Sequence, residues 1–260
     1  YDYCITIYNL SKILKNNPLL MLNDYLKYMV SGIGLSNTTF QNKFLIPSNF
    51  YIYSEFYKNL FAKKYGFNKN VMKVTGSIDL YNYYSIINQK RFNAPCYLAQ
   101  TFVEDNRIPE ILFENIIAFY VNLAKEVNIF YLKLHPRSNI DLYKNLTSLS
   151  NVIVLRNEFP NCSVYIGHYS STLFLARYLS GCVIIHDIES ETIPKMYQLS
   201  ATLISKNLNE IKKEIYMNQN ILPNLENISN MLKRIAPMPV INPIVAIANE
   251  IRVFYSDQGS

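Results

Sequence analysis

From residue 95 onward the apolar positions come in two rhythms. Short runs that stay apolar on successive positions (96–100, CYLAQ; 129–134, IFYLKL; 151–155, NVIVL; 162–167, CSVYIG; 182–187, CVIIHD; 201–205, ATLIS) alternate with longer segments at helical spacing near 109–126, 141–149, 171–179, 208–217 and 225–235. A strand that is apolar on consecutive positions is buried on both faces, and strands separated by helices pair in parallel. The pattern therefore predicts a Rossmann-like α/β domain over 94–236. The first half is less regular, with strands expected at 3–8, 44–47, 50–54 and 71–76 and helices at 20–30, 55–64 and 80–89. It reads as an α/β domain, 1–93, that is incomplete. The polar stretch 88–95 (NQKRFNAP) is the expected linker, and 243–256, which follows the Pro-rich bend APMPVINP, is an amphipathic helix expected to cross back to the first domain.

Composition narrows the class. Half of the 260 residues are apolar, enough to bury a sizeable core and to exclude disorder. The balance of 25 Lys+Arg against 19 Asp+Glu, a formal +6, favours anionic partners such as phosphates, acidic glycans or a lipid surface. It falls short of a nucleic-acid footprint, so no nucleic-acid partner is expected. Cys4, Cys96, Cys162 and Cys182 are scattered without a CxxC pair, which points to buried free thiols in a reducing compartment. No run approaches the roughly 18 apolar residues of a membrane span, and YDYCITIYNL has neither the basic start nor the cleavage site of a signal peptide. A soluble, cytoplasmic protein is expected. The chain begins without Met and ends in SDQGS, as a fragment of a longer protein would.

Candidate chemistry sits in three loops that follow strands. His135-Pro136-Arg137 comes directly after IFYLKL, and in an open parallel sheet ligands bind beyond the carboxyl ends of the strands. Pro136 keeps His135 out of the helical region; the three residues would serve equally as a polar connector. Gly167-His168-Tyr169-Ser170-Ser171 precedes the helical pattern TLFLARYL, so Ser170 or Ser171 is a natural helix cap. Two hydroxyls with a positive helix end also make an anion site that needs no metal. Both loops belong to one expected sheet and could converge on one phosphate. Glu158 lies in the loop between them, where a carboxylate could hold a ribose diol or simply face solvent.

Other constellations are weaker. His135, His168 and His186 follow different strands and lack ligand spacing, so no metal is expected. GHYSS lacks the second Gly of a GxSxG elbow, SGIG (31–34) lacks GxGxxG, and GxxxxGK is absent. The Lys-rich 62–73 reads as a solvated face.

The order of these motifs is familiar. YLAQ ending in Gln100, VEDNRIPE, YLKLHPR, NEFP and GHYSSTLFLARYLSG resemble the nucleotide-binding half of bacterial capsule and lipooligosaccharide sialyltransferases and polysialyltransferases, over about 94–190. The resemblance implies a glycosyltransferase-B (GT-B) fold of two Rossmann-like domains, CMP-sialic acid as donor, a capsule or lipooligosaccharide glycan as acceptor, and inverting transfer with no metal or other cofactor. Carried over, His135 and the pair Ser170 and Ser171 hold the CMP phosphate and Glu158 the ribose, with Gln100, Arg137 and His168 completing the substrate contacts. It also implies peripheral contact with the cytoplasmic face of the inner membrane. HP plus SS occurs as well in CDP-glycerol polymerases of teichoic acid synthesis, which usually carry an Asp before the Ser pair where this chain has His168. The acidic-Gly motif that supplies the base in such enzymes has no counterpart here, since no DG or EG dipeptide occurs; either it lies upstream of Tyr1 or another acid serves, with Asp24 the nominee. A glycerophosphate transferase and a non-catalytic nucleotide-binding module are the alternatives.

Overall fold

The structure is a computed structural model that describes residues 4–7, 49–65, 68–188, 192–218, 220–224, 226 and 228–256. The helix expected at 20–30, the strand expected at 44–47, SGIG at 31–34 and Asp24 lie outside the described residues. The leading elements are β1 (Cys4–Ile7), β2 (Asn49–Ile52), α1 (Glu55–Tyr65), β3 (Met72–Val74), β4 (Phe92–Leu98), α2 (Glu110–Ala124), β5 (Phe130–Lys133) and β6 (Val152–Leu155). They continue with β7 (Cys162–Gly167), α3 (Thr172–Leu179), β8 (Cys182–His186), β9 (Leu203–Ser205), α4 (Leu208–Asn218), α5 (Asn230–Ile235) and α6 (Pro243–Ser256).

The chain divides into two compact units, one of Tyr1–Tyr81 with Lys233–Ser260 and one of Asn82–Leu232. The first unit holds a sheet of order β1-β2-β3, antiparallel between β1 and β2 and parallel between β2 and β3. Phe50, Tyr51 and Ile52 of β2 are buried, and Phe50 meets Phe61 of α1 edge-on at 5.5 Å. The Ser54 hydroxyl donates to the Ile235 carbonyl at 2.8 Å, tying the end of α5 to the end of β2. Helix α6 belongs to this unit and packs beside the short helix Ile78–Tyr81.

The second unit is a six-stranded sheet of order β6-β5-β4-β7-β8-β9, parallel at every pairing. Its two faces read off the register. Tyr97, Leu132, Ile166 and Ile184 lie in line on one face and pack with Phe113, Ile116 and Tyr120 of α2 and with Ile211 and Ile215 of α4. Cys96, Tyr131, Tyr165 and Val183 line the other. The chain steps from β4 to β5 one way along the sheet and from β7 to β8 the other. Right-handed crossovers then put α2 and α3 on opposite faces. Double coverage is why these strands were apolar at every position rather than at alternate ones.

Three expectations are corrected here. The helix expected over 80–89 is two single turns, Ile78–Tyr81 and Tyr83–Ile86, broken at Asn82. The helix expected over 141–149 is a 3-10 turn, Ile140–Tyr143, followed by the short helix Lys144–Thr147. The stretch expected as a linker contributes the first residues of β4, including Pro95, in a strand with neighbours on both sides. Proline lacks the ladder donor and belongs at edges or bulges. The register between β4 and β7 shifts between Phe92 and Pro95, and the β5 pairing begins only at Cys96, so Pro95 sits at an irregularity of the ladder. Among the described residues no helix is long and apolar enough to cross a membrane.

Ile184, fully buried on β8 against both β7 and β9, tests this core. Ile184→Ala should cost about 2–5 kcal/mol through lost transfer energy and the cavity left behind. The check is a lowered urea midpoint at unchanged slope.

Candidate functional site

Strand β4 is the first of its unit and sits in the middle of the sheet. The chain builds outward to β5 and β6, returns across β4, and builds β7, β8 and β9 on the other side. The connections therefore diverge at the carboxyl ends of β4 and β7, leaving a crevice there, and such a reversal is where open α/β sheets bind ligands.

On the β7 side, His168 is almost fully buried. Its Nδ1 lies 2.9 Å from the His186 carbonyl and its Nε2 3.1 Å from the Tyr97 hydroxyl. A carbonyl only accepts, so Nδ1 carries the proton and Nε2 accepts from Tyr97. Both nitrogens are committed to the interior. The ring positions the end of β7 instead of presenting itself to a substrate. His186, stacked on Phe119 at 4.2 Å, bonds through Nδ1 to the Tyr120 hydroxyl at 3.1 Å. Tyr120 in turn stacks on Tyr97 at 3.6 Å.

Above this base stand the hydroxyls. Ser170 Oγ accepts the Thr172 amide at 3.3 Å and lies 2.8 Å from Thr172 Oγ1. Ser171, the residue before α3, is buried and its side chain makes no capping bond. The hydroxyl pair at the helix start is thus Ser170 with half-buried Thr172, a partner the sequence reading passed over because it matched the repeated Ser. The Gln100 amide Nε2 donates to the Tyr169 carbonyl, and the Tyr143 hydroxyl donates to the Gln100 carbonyl at 3.2 Å. Gln100 thus fastens the β4 loop to the β7 loop. Its Oε1 is buried without a partner.

On the β5 side, His135 Nδ1 accepts the Arg137 amide at 3.2 Å, so the imidazole proton sits on Nε2. The loop is held from below: Arg156 donates to the carbonyls of Pro136 at 2.9 Å and Ser138 at 3.0 Å, and Lys133 Nζ to the carbonyl of Arg156 at 2.6 Å. Arg137 forms a two-pronged pair with Asp105 at 2.8 and 3.2 Å, and Thr101 Oγ1 donates to the same carboxylate at 2.6 Å. Burial tends to raise the Asp105 pKa, but the Thr101 and Arg137 bonds outweigh it and hold it below the usual value. The Asn139 amide donates to Glu104 Oε1 at 2.7 Å.

The sequence-nominated residues thus spread over three strands. Ser170, Ser171 and His168 follow β7 and Gln100 follows β4, so these flank the crevice directly. His135 and Arg137 follow β5, about 10 Å from β7 at two strand spacings. Glu158 follows edge strand β6 and is exposed, one strand farther out. The reading also passed over Arg107, whose guanidinium carbon lies 4.7 Å over the Phe102 ring and 4.8 Å over the Tyr169 ring. Its signal was present in VEDNRIPE, an Asn followed by a cation at the close of a turn. Among the described residues no group of three or more His, Cys, Asp or Glu is placed to hold a metal ion.

The buried histidines make stability depend on pH. Burial, reinforced by neighbouring His186, pushes His168 down to about 3, and burial pushes His186 down to about 4. In the unfolded chain both take up protons near pH 6.5. Stability is therefore complete above about pH 6.5 and falls as pH drops toward 4, by up to about 1.4 kcal/mol per pH unit for each ring. Urea midpoints at pH 7, 6 and 5 should fall in that order, and His186→Phe should flatten the trend. A wild-type midpoint constant from pH 7 to 5 would refute it.

No known family matches the chain, and no curated protein does. Among solved structures, UDP-GlcNAc 2-epimerase from Methanocaldococcus jannaschii, in complex with UDP-GlcNAc and UDP, is 14% identical over 78% of this chain and 61% of its own, with a TM-score of 0.45. The Neisseria meningitidis enzyme bound to UDP-GlcNAc is 15% identical over 76% of this chain and 60% of its own, at 0.44. The wall teichoic acid polymerase TagF, as its H444N variant, is 14% identical over 80% of this chain and 58% of its own, at 0.50. The chain thus spans about six tenths of the length of these structures, 58% to 61%. The likeness to TagF is one of fold: α/β with a Rossmann-like parallel sheet, GT-B-like in kind.

Proposed function

We propose that the chain carries the nucleotide-donor half of a GT-B-type glycosyltransferase that transfers sialic acid from CMP-sialic acid to a capsule or lipooligosaccharide glycan. The observation that carries the reading is the crevice between β4 and β7. It joins a helix amino end, the Ser170 and Thr172 hydroxyls and a neighbouring His-Pro-Arg loop, which are parts suited to a phosphate.

In this reading, departure of CMP builds negative charge on its phosphate, and donors set in advance around it stabilise the transition state more than the ground state. His135 contributes as a neutral ring donating from Nε2, since a proton on Nδ1 would face the Arg137 amide. Ser170 and the first amides of α3 contribute from the other side. Ser171, buried beneath, and His168, bonded to Tyr97 and His186, set the loop in place, as does Gln100 through Tyr169. Arg137, paired with Asp105, fixes the His135 loop relative to the β4 loop. Glu158 takes the ribose diol from the loop after β6, two strands out from β4. A carboxylate from the first unit, with Asp24 as nominee, removes the acceptor hydroxyl's proton. No metal or cofactor takes part, and the protein works in the cytoplasm with peripheral contact at the inner membrane.

A second reading, a glycerophosphate transferase using CDP-glycerol, gains support from the fold likeness to the wall teichoic acid polymerase. Both donors release CMP, so the discriminating measurement is CMP formed from CMP-sialic acid against CDP-glycerol. Turnover of CDP-glycerol alone would replace the first reading with the second. Calorimetry should show CMP bound more tightly than UMP or UDP, and tightest binding of UDP would overturn both. His135→Ala should lose a charge-assisted hydrogen bond to the phosphate, about 1.5–3 kcal/mol, roughly 10- to 150-fold in CMP affinity. Glu158→Ala with full CMP affinity would remove the ribose role.

A further inference from the structure

The turn that carries His135 is held one peptide plane at a time. A trans peptide points its carbonyl and its amide in opposite directions. In the unit joining residues 136 and 137, the Pro136 carbonyl accepts from Arg156 at 2.9 Å, and the Arg137 amide donates to His135 Nδ1 at 3.2 Å. In the unit joining residues 138 and 139, the Ser138 carbonyl accepts from the same guanidinium at 3.0 Å, and the Asn139 amide donates to Glu104 Oε1 at 2.7 Å. Arg156 therefore takes both carbonyls, while the two amides point away from it, one to the imidazole and one to a carboxylate of the β4 loop. The Ser138 amide closes on the His135 carbonyl at 2.9 Å. The ring and the plane it leans on thus belong to one closed turn, and Glu104 does for the second plane what His135 does for the first.

The carboxylates stand on a scaffold of their own. The Asp105 amide donates to the Thr101 carbonyl at 3.1 Å, completing one helical turn, and Asn106 follows in the left-handed region at φ 53°. The Asn106 amide then donates to the Val103 carbonyl at 3.0 Å and the Arg107 amide to the Phe102 carbonyl at 2.8 Å. These are the two bonds of a Schellman ending, with Asn at the position that tolerates a positive φ. Glu104 and Asp105 are the residues just before it, so the ending sets where both acids begin. Asp105 takes the Arg137 guanidinium at 2.8 and 3.2 Å and is steadied by the Thr101 hydroxyl at 2.6 Å. Two adjacent acids thus hold residue 137, which donates to His135, and residue 139, which ends the turn. The Arg137 side chain is 64% exposed and that of Asp105 30%, and ion pairs so open to water add little stability. Their effect falls on where the turn sits.

We infer that Glu104 and Asp105 are positioning residues for His135: they hold the His-Pro-Arg turn to the β4 loop, so that the imidazole keeps Nδ1 on the Arg137 amide and its proton on Nε2. The inference rests on the proposed role of His135 at the donor's phosphate and adds the two side chains through which the β4 loop sets that ring.

A double-mutant cycle on the whole chain tests it, with CMP affinity read by calorimetry on variants that keep a cooperative urea transition. Glu104→Leu removes the acceptor of the Asn139 amide and Asp105→Ala the partner of Arg137; each should weaken CMP about fivefold or more, short of the loss in His135→Ala. In the His135→Ala background the same substitutions should change CMP affinity by less than about twofold, because residues that act through one ring share its loss. Glu104→Gln, which keeps an oxygen for the Asn139 amide, should stay within about twofold of the wild type. Either acid carries the test if the variant of the other does not fold. Wild-type CMP affinity in Glu104→Leu or in Asp105→Ala would overturn the inference. Losses as large in the His135→Ala background as in the wild type would overturn it too, by reducing the acids to braces of the loop. Both outcomes leave His135→Ala deficient and the nucleotide site standing. Unchanged CMP affinity in His135→Ala would instead remove the role of His135, and a wild-type chain that binds none of CMP, UMP or UDP would remove the nucleotide site, and the inference with it.

Discussion

The second unit depends on β4 being paired in parallel on both edges, with β5 on one side and β7 on the other. A strand in that position must be apolar on both faces, and Ala94 and Cys96–Ala99 are all buried. It must also be left by the chain in one direction and passed again in the other. No connection can then cover the carboxyl ends of both β4 and β7. The crevice is a consequence of strand order and would exist whatever side chains surrounded it. What the sequence adds is the lining.

The lining stands on a buried polar chain that runs beneath the crevice, Tyr97 to His168, His168 to the His186 carbonyl, His186 to Tyr120. Four strands or helices contribute one group each: β4, the end of β7, β8 and α2. Buried polar groups cost free energy unless paired, so a network of this kind tolerates one arrangement of its members. It fixes the height of the β7 end relative to β4 more sharply than apolar packing would, because apolar contacts slide and hydrogen bonds do not. The tautomer of His168 follows from the same geometry. That is why a histidine one residue from the candidate hydroxyls belongs to the foundation and not to the surface they form.

Much of this was legible in the chain. Runs such as IFYLKL and CVIIHD carry no alternation, and the absence of alternation is itself the mark of a strand covered on both sides. The loops after them were found because a parallel sheet puts its ligand at those ends. Periodicity could not show how a polar residue is spent. His168, Ser170 and Ser171 are neighbours in sequence, yet one is bonded inward, one faces its neighbour Thr172 and one is buried. The linker assigned to NQKRFNAP failed for a local reason: Pro95 speaks against a strand unless a bulge removes the need for its donor, and a bulge is a property of two strands together. Arg107 was hidden because its neighbours in sequence are acidic, while its neighbours in space are aromatic.

That last contrast bears on the kind of anion the crevice suits. Counting basic residues along the loops gives Arg107, Arg137 and Arg156, which reads as a strongly cationic pocket. The contacts divide them differently. Arg156 spends its donors on the Pro136 and Ser138 carbonyls, and Arg137 is matched by Asp105. Glu104, through Asn139, adds a further negative charge on the same loop. In the proposed reading, a second phosphate placed toward the carboxylates of Glu104 and Asp105 would meet repulsion there. On the proposed reading, the charge balance among these side chains therefore suits a nucleoside monophosphate donor better than a nucleoside diphosphate donor.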